Sequence, residues 1–416
     1  MQSVLFLCHR LPWPPDKGDK IRSYRILRRL AERYRVYLGT FIDDPADWKY
    51  LADVEALCAG VCVRPLQPWL ARWRALVSLA RGDALTVGVY RDSDMRRWVE
   101  RVLADQKPEL AVCYSSGVAP FILPFPQLRR VMDFVDVDSD KWRQYAQAHG
   151  GLKGLVYRRE ARRLAALERT IATQFDASVL VSEAEAGFFR QQVPQAADKV
   201  HGIPNGVDAD YWNPQREYVN PYRPGERALV FVGAMDYRAN VHAVQWFARE
   251  VWPRIFSQRP DARFYIVGSK PTAAVRALGE LDGIEVTGRV EDVRPYLAHA
   301  YAATAPLHIA RGIQNKVLEA LAMEKVLLAT PEAYEGIEDF DGREGCIDAS
   351  PEVMAVEALR WLDAPQPARV PAARAKVLSR YDWTRNLDAY ENMLRNALPA
   401  SANVGSADMT RLEAYP

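Results

Sequence analysis

The chain has 416 residues, 49% of them hydrophobic and 26% charged, which allows more than one core of roughly 100–200 residues; two domains are expected. With 55 basic against 53 acidic residues the net charge is only +2, which speaks against bulk nucleic-acid binding. No stretch reaches the ~18 apolar residues of a membrane span, and the opening SVLFLC reads as a strand rather than a leader, so a cytoplasmic protein is expected.

In chain order, the strand VLFLC (4–8) runs into RLPWPPDKGDKIRS and then a helix IRSYRILRRLAERY. Gly18 and Asp19 mark the turn between them, where Asp19 can serve as a helix cap. Strands VYLGTF (36–41) and GVCVRPL (60–66) follow, then QPWLARWRALVSLARG (67–82). This last segment sets Trp69, Leu70, Trp73, Leu76, Val77 and Ala80 at helical spacing among Arg72, Arg74 and Arg81. Such a helix either packs its stripe on the sheet or lies on an anionic membrane surface. Next come LAVCY (110–114), RVMDFV (130–135) and ASVLV (177–181). The acidic run DFVDVDSDKW (133–142) carries Asp136 and Asp138, which read either as a metal-binding D-x-D, as caps of the next helix, or as groups facing a cleft beyond the strand's carboxyl end.

Three prolines, Pro214, Pro221 and Pro224, break regular structure before a second series of strands. These are ALVFVG (228–233), RFYIVG (263–268), IEVTGRV (284–290), AATAPL (302–307) and VLLAT (326–330). Apolar runs alternating with longer helical stretches are the pattern of βαβ units. The fold class expected is therefore α/β, two doubly wound Rossmann-like domains facing across a cleft, with ligands beyond the carboxyl ends of the strands. Five cysteines, Cys8, Cys58, Cys62, Cys113 and Cys346, sit in apolar segments and read as reduced thiols. Cys58 and Cys62 lack a second ligand pair at zinc spacing.

The segment RGIQNKVLEALAMEKVLLAT (311–330) places Lys316 and Glu319 three apart, on one face of a helix expected to be capped by Asn315. Gly312 lets the backbone approach a ligand, helix-start N–H groups and Lys316 suit a phosphate, and Glu319 can accept from two ribose hydroxyls. The competing reading is a solvent-facing helix pair contributing ~0.2–0.5 kcal/mol.

Together, IPNGVD (203–208), LVFVGAMD (229–236), FYIVGS (264–269), VTGRVEDVRPYL (286–297) and APLHIARGIQNKVLEALAMEKVLLAT (305–330) resemble glycosyltransferase family 4, the retaining sugar-nucleotide enzymes of GT-B fold. KGDKIRSY and VDSDKW are similar to stretches in its exopolysaccharide and exosortase-associated members. The resemblance implies transfer of a sugar from a nucleoside diphosphate sugar to a growing, lipid-linked exopolysaccharide, with retention and with neither metal nor cofactor. It implies an acceptor-side domain at 1–208, a nucleotide-sugar domain at 228–385 and a helix at 386–397 packing back on the first domain; the three prolines mark 209–227 as a linker, and the polar, small-residue stretch 398–416 reads as a disordered tail. Glu319 matches the glutamate on the ribose hydroxyls. Gly312, Ile313 and Gln314 match the loop at the diphosphate, Arg289 and Val290 the loop beside the base, and Gly18 with Asp19 the acceptor-side loop. Two departures stand out: Arg311 occupies the position of the family's first glutamate, and Ala234 that of the arginine following the VFVG glycine. Lys316, Arg238 and Arg311 are expected to supply the missing phosphate cations, with Asp136 or Asp138 at the reacting centre. A sugar-nucleotide epimerase of the same fold and a non-catalytic member of a polysaccharide assembly complex are the rival classes.

Overall fold

The computed structural model describes residues 2–15, 18–310, 312–337, 342 and 344–397; Arg311 and the stretch 398–416 lie outside them. The chain divides into two units, Met1–Ile203 with the segment from Leu387 on, and Pro204–Asn386.

In the first unit seven strands form one sheet in the order β3-β2-β1-β4-β5-β6-β7, all parallel. They are β1 (Ser3–Cys8), β2 (Arg35–Ile42), β3 (Gly60–Pro65), β4 (Leu110–Tyr114), β5 (Arg129–Val135), β6 (Ala177–Leu180) and β7 (Val200–Gly202). Alternation along β1 explains why the run reads as continuously apolar: Val4, Phe6 and Cys8 enter the core on one face, Leu5 and Leu7 the core on the other. The end of the helix Trp383–Ala397 completes this unit. Its Tyr390, Met393 and Leu394 share a core with Ile26 and Leu30, while Arg29 pairs with Asp388 and, at 3.0 Å, with Glu391.

The second unit holds a parallel sheet in the order β10-β9-β8-β11-β12-β13. Its strands are β8 (Arg227–Val232), β9 (Ala262–Val267), β10 (Ile284–Gly288), β11 (Ala302–Ala305), β12 (Leu327–Ala329) and β13 (Gly345–Ile347). Residues 209–227 belong here: Trp212 and Tyr222 are buried, and the Tyr222 hydroxyl donates to the Tyr296 carbonyl at 2.6 Å. Two strands absent from the sequence reading, β7 and β13, are three-residue edge strands, too short to show a periodicity of two.

In both sheets the order reverses beside the first strand, between β1 and β4 in one and between β8 and β11 in the other. Connections leave such a point in opposite directions, so the loops beyond its carboxyl ends part and leave a crevice for a ligand. Among the described residues no helix is long and apolar enough to cross a membrane.

Candidate functional site

At the second unit's reversal point, β11 leads through residues 306–314 into the helix Asn315–Ala322, and β8 through 233–237 into the helix Arg238–Trp246. The first of these helices starts one residue earlier than expected. Gln314, extended at φ −89°, is its N-cap and makes no side-chain cap. Asn315 is therefore already helical, and its side-chain oxygen accepts instead from the Asn205 amide at 3.3 Å. No side chain occupies the cap position of this helix, which is the condition for anion binding by its first-turn N–H groups.

Lys316 does not point to bulk water. Its ammonium donates to Asn240 Oδ1 and lies 4.6 Å from the centre of the Phe231 ring. Asn240, buried on the neighbouring helix, is fixed in turn by donating its amide to the Ala234 carbonyl at 2.8 Å. One hydrogen bond thus spans the β8/β11 crevice. Burial pushes Lys316 down to about 7 against the pull of Glu319, and burial pushes Glu319 up to about 7 against the pull of Lys316. A phosphate at the ammonium would restore its charge, and hydroxyl donors would do the same for a carboxylate that accepts no hydrogen bond from another side chain among the described residues. The solvent-facing pair is thereby ruled out by geometry.

Around these groups the backbone comes very close. Gly312 adopts φ +65°, a conformation costly for any residue with a Cβ, and the Gln314 amide donates to its carbonyl at 3.4 Å. Ile313 is 7% exposed and belongs to the core, so it anchors the loop, with Gly312 buried before it and Gln314 half-buried after it. Gly233 N–H donates to Val267 O at 3.0 Å, and Gly268 N–H to Gly288 O at 3.1 Å. Those bonds draw the loops after β8, β9 and β10 together. Arg289, exposed, and Val290, half-buried against the core, follow Gly288. Arg238 is exposed at the first position of its helix. His308 Nε2, after β11, and Glu332 Oε2, after β12, are buried without a hydrogen-bond partner among the described residues.

At the reversal point of the first unit, Asp19 pairs with Arg10 and lies 3.5 Å from His9 Nε2. Asp19 is not the cap of a helix starting at Ile21 but lies inside the first turn of the helix Gly18–Ala31. Its own burial works against ionisation, but His9 and Arg10 hold the carboxyl well below its usual range. Burial alone would lower His9; the hydrogen bond and charge of Asp19, with help from Cys8, carry it up to about 9. The Tyr114 hydroxyl donates to the Asp19 carbonyl at 2.9 Å, which ties the β1 and β4 loops together next to Gly18. His9 Nδ1 and Ser116 Oγ, following β1 and β4, are buried without partners among the described residues. Directly after β5, the D-x-D reading meets a cation: Lys141 donates to Asp136 at 2.8 Å and to Asp138 at 3.3 Å. The cap of the following helix is Val137, with Asp138 its first residue. Ser115 and Val135 adopt φ +77° and +69°, and such strain in non-glycine residues concentrates at functional sites.

The structure thus brings Lys316, Glu319, Gly312, Ile313 and Gln314 together, leaves Arg238 exposed at a helix start and Arg289 exposed on a loop, and places Asp19 with Gly18, and Asp136 with Asp138, in the first unit. Sequence reasoning missed Asn240, His9, His308 and Glu332. An asparagine in the first turn of a helix signals only a cap, and nothing in a spacing reveals a partner 76 residues away.

A profile of the family described as Glycosyl transferases group 1 matches residues 226–364, a span that contains the β8/β11 crevice. No curated protein has a significant match. Sucrose-phosphate synthase from Thermosynechococcus elongatus superposes with a TM-score of 0.68 at 15% identity, covering 95% of this chain and 99% of its own. The Anabaena protein HepE, solved with UDP and glucose, gives 0.62 at 14% identity, with 95% and 100% covered. WaaG, a glycosyltransferase involved in lipopolysaccharide biosynthesis, gives 0.62 at 18%, with 97% and 100% covered. The fold is that of GT-B glycosyltransferases.

Proposed function

We propose that the chain is a family 4 glycosyltransferase that moves a sugar with retention from a nucleoside diphosphate sugar to a growing, lipid-linked exopolysaccharide at the inner face of the cytoplasmic membrane. The observation that carries this reading is the Lys316–Asn240 hydrogen bond across the β8/β11 crevice, with Glu319 one turn further along the same helix. The diphosphate takes the place in front of Lys316 and the uncapped helix start, and Glu319 accepts from the ribose hydroxyls. Arg289 and Val290 flank the base, and His308 Nε2 and Glu332 Oε2, buried without a hydrogen-bond partner among the described residues, are assigned to hydroxyls of the transferred sugar. As the bond from the anomeric carbon to the diphosphate oxygen breaks, negative charge grows on the leaving group. Lys316, Arg238 and the backbone at 312–314 stabilise it there without a metal; Arg311 is assigned the same role from its position in the chain. In the first unit, Gly18 and Asp19 belong to the acceptor side, and Asp136 or Asp138 stands near the reacting hydroxyl. The Lys141 ammonium between those two carboxylates already supplies the countercharge that a D-x-D metal would bring. HepE was solved with UDP and glucose, which makes UDP-glucose the first donor to try.

The test is turnover of a panel of nucleotide sugars by wild type and Lys316→Ala, with and without chelator. Loss of one preorganised group at a leaving oxyanion typically costs on the order of 10²–10³ in turnover, and that loss is expected with the fold intact. A variant within a few-fold of wild type rejects the role, and inactivation by chelator restores the metal mechanism. Product formed without any acceptor would point to an epimerase.

A further inference from the structure

The arginine-rich helix Pro68–Arg81 turns its apolar stripe outward. Trp69, Trp73 and Leu76 are 68%, 63% and 58% exposed, so the stripe does not pack on the sheet. A second helix, Gly151–Gln174, begins with Leu152 at 79% and Leu155 at 56% exposure. These two elements are neighbours. Arg159 donates to the carbonyls of Leu79 and Asp83, both at 3.1 Å, at the end of the first helix. Leu152, Leu155 and Arg159 follow one another at helical spacing, so the two leucines share the face of the second helix that reaches the end of the first. Monomeric proteins seldom expose so many large apolar side chains side by side without a partner.

The exposed charges carried by the two helices themselves have one sign. The helix Gly151–Gln174 exposes Lys153, Arg158, Arg162, Arg163 and Arg169. Its only acids, Glu160 and Glu168, are 0% and 1% exposed. Both face inward, where Glu160 accepts from the Leu85 and Thr86 N–H groups at 2.7 and 2.9 Å and Glu168 from the Ser139 N–H at 3.0 Å. The helix Pro68–Arg81 contains no acid at all. In a chain whose total charge is only +2, such segregation needs an anionic partner. Between the helices Asp138–Ala148 and Gly151–Gln174, Trp142 and Tyr145 of the one meet Tyr157 of the other with ring centroids 5.2–6.2 Å apart; rings of this amphipathic kind settle at the water–lipid boundary.

We infer that the two helices form one membrane-docking face selective for anionic lipid, with Trp69, Trp73, Leu152 and Leu155 entering the acyl boundary and the arginines of the second helix lying on the headgroups. This deepens the assignment of a lipid-linked acceptor and rests on it. The helix Asp138–Ala148, at ~1.5 Å per residue about 16 Å long, carries Trp142 and Tyr145 and starts at Asp138, so an acceptor lifted from the bilayer would arrive beside Asp136 and Asp138.

The test uses the full chain with vesicles of phosphatidylcholine alone or with about 30% phosphatidylglycerol, a typical anionic content. Cosedimentation with the anionic vesicles only is expected, falling as salt rises. Both Trp69→Ser with Trp73→Ser and Leu152→Ser with Leu155→Ser should abolish it, and Arg158→Gln with Arg162→Gln should weaken it roughly five-fold or more. Brominated lipid should quench tryptophan emission in wild type and much less in the Trp69/Trp73 variant. Equal binding to neutral vesicles, or wild-type binding by the Leu152/Leu155 variant, overturns the proposal. So does a concentration-dependent dimer by light scattering that these variants dissolve. All the replaced side chains are solvent-exposed, so unchanged thermal midpoints are the folding control. Nucleoside diphosphate binding, measured without vesicles, reports on the donor site separately; its loss would remove the transferase reading and leave vesicle binding untouched.

Discussion

Burial holds Glu319 and Lys316 in a state neither would adopt in water, and each pulls the other back toward its charged form. Glu319→Ala should weaken nucleoside diphosphate binding by roughly 1.5–3 kcal/mol per lost charged hydrogen bond, read by calorimetry. Unchanged affinity would leave the ribose role without support. The same pair predicts an unusual pH profile. Lys316 titrates at about 7 in the folded chain against 10.5 for an ordinary lysine, so its contribution to stability rises with pH across that interval. Glu319 titrates at about 7 against 4.5, so its contribution falls as pH climbs from 4.5 to 7. Both slopes place a minimum near neutrality. Replacing the pair by Lys316→Met with Glu319→Gln should raise the thermal midpoint at pH 7 relative to wild type and flatten its dependence on pH. A midpoint that drops at pH 7 would show the pair to be structural. The sequence shows the spacing of these two residues, because i and i+3 share a helix face. Nothing in it shows Asn240, whose role comes from two parallel strands lying side by side.

Among the elements, the glycine-bearing turns after β8, β9 and β10 fix the donor side. A Cβ on Gly268 would stand 1.7 Å from the Gly233 carbonyl oxygen, a contact that only backbone displacement can relieve. Gly268→Ala should therefore separate these turns. A lowered thermal midpoint with nucleotide binding reduced at least in proportion is expected, and a variant with wild-type values in both would remove the argument. Long buried strands and the helices after them were legible because apolar runs and 3.6-residue periodicity are strong signals. The helix start at 315 slipped by one residue, since Asn315 found a side-chain partner in Asn205 and left the cap to Gln314. In the helix Pro68–Arg81 the stripe itself was plain from spacing, but its outward direction was not, because periodicity is the same whether a face meets the core or the solvent.

At the scale of the whole molecule, the first unit is assembled from both ends of the chain. Deleting residues from Leu387 on would uncover Ile26 and Leu30 and leave Arg29 without Asp388 and Glu391. Such a truncation should lower the unfolding midpoint of the first unit by several degrees or more, about what losing a kilocalorie or two does in a domain of this size. The second unit, contiguous in sequence, should keep its own transition; differential scanning calorimetry would resolve the two.

This discontinuity also orders events on the ribosome. Chains emerge N-terminus first, so the first two hundred residues are released with an unfinished hydrophobic seam and must wait while the second unit is synthesised and closes. Only when the last helical turns leave the exit tunnel can the seam be sealed, and until then a chaperone has a surface to hold.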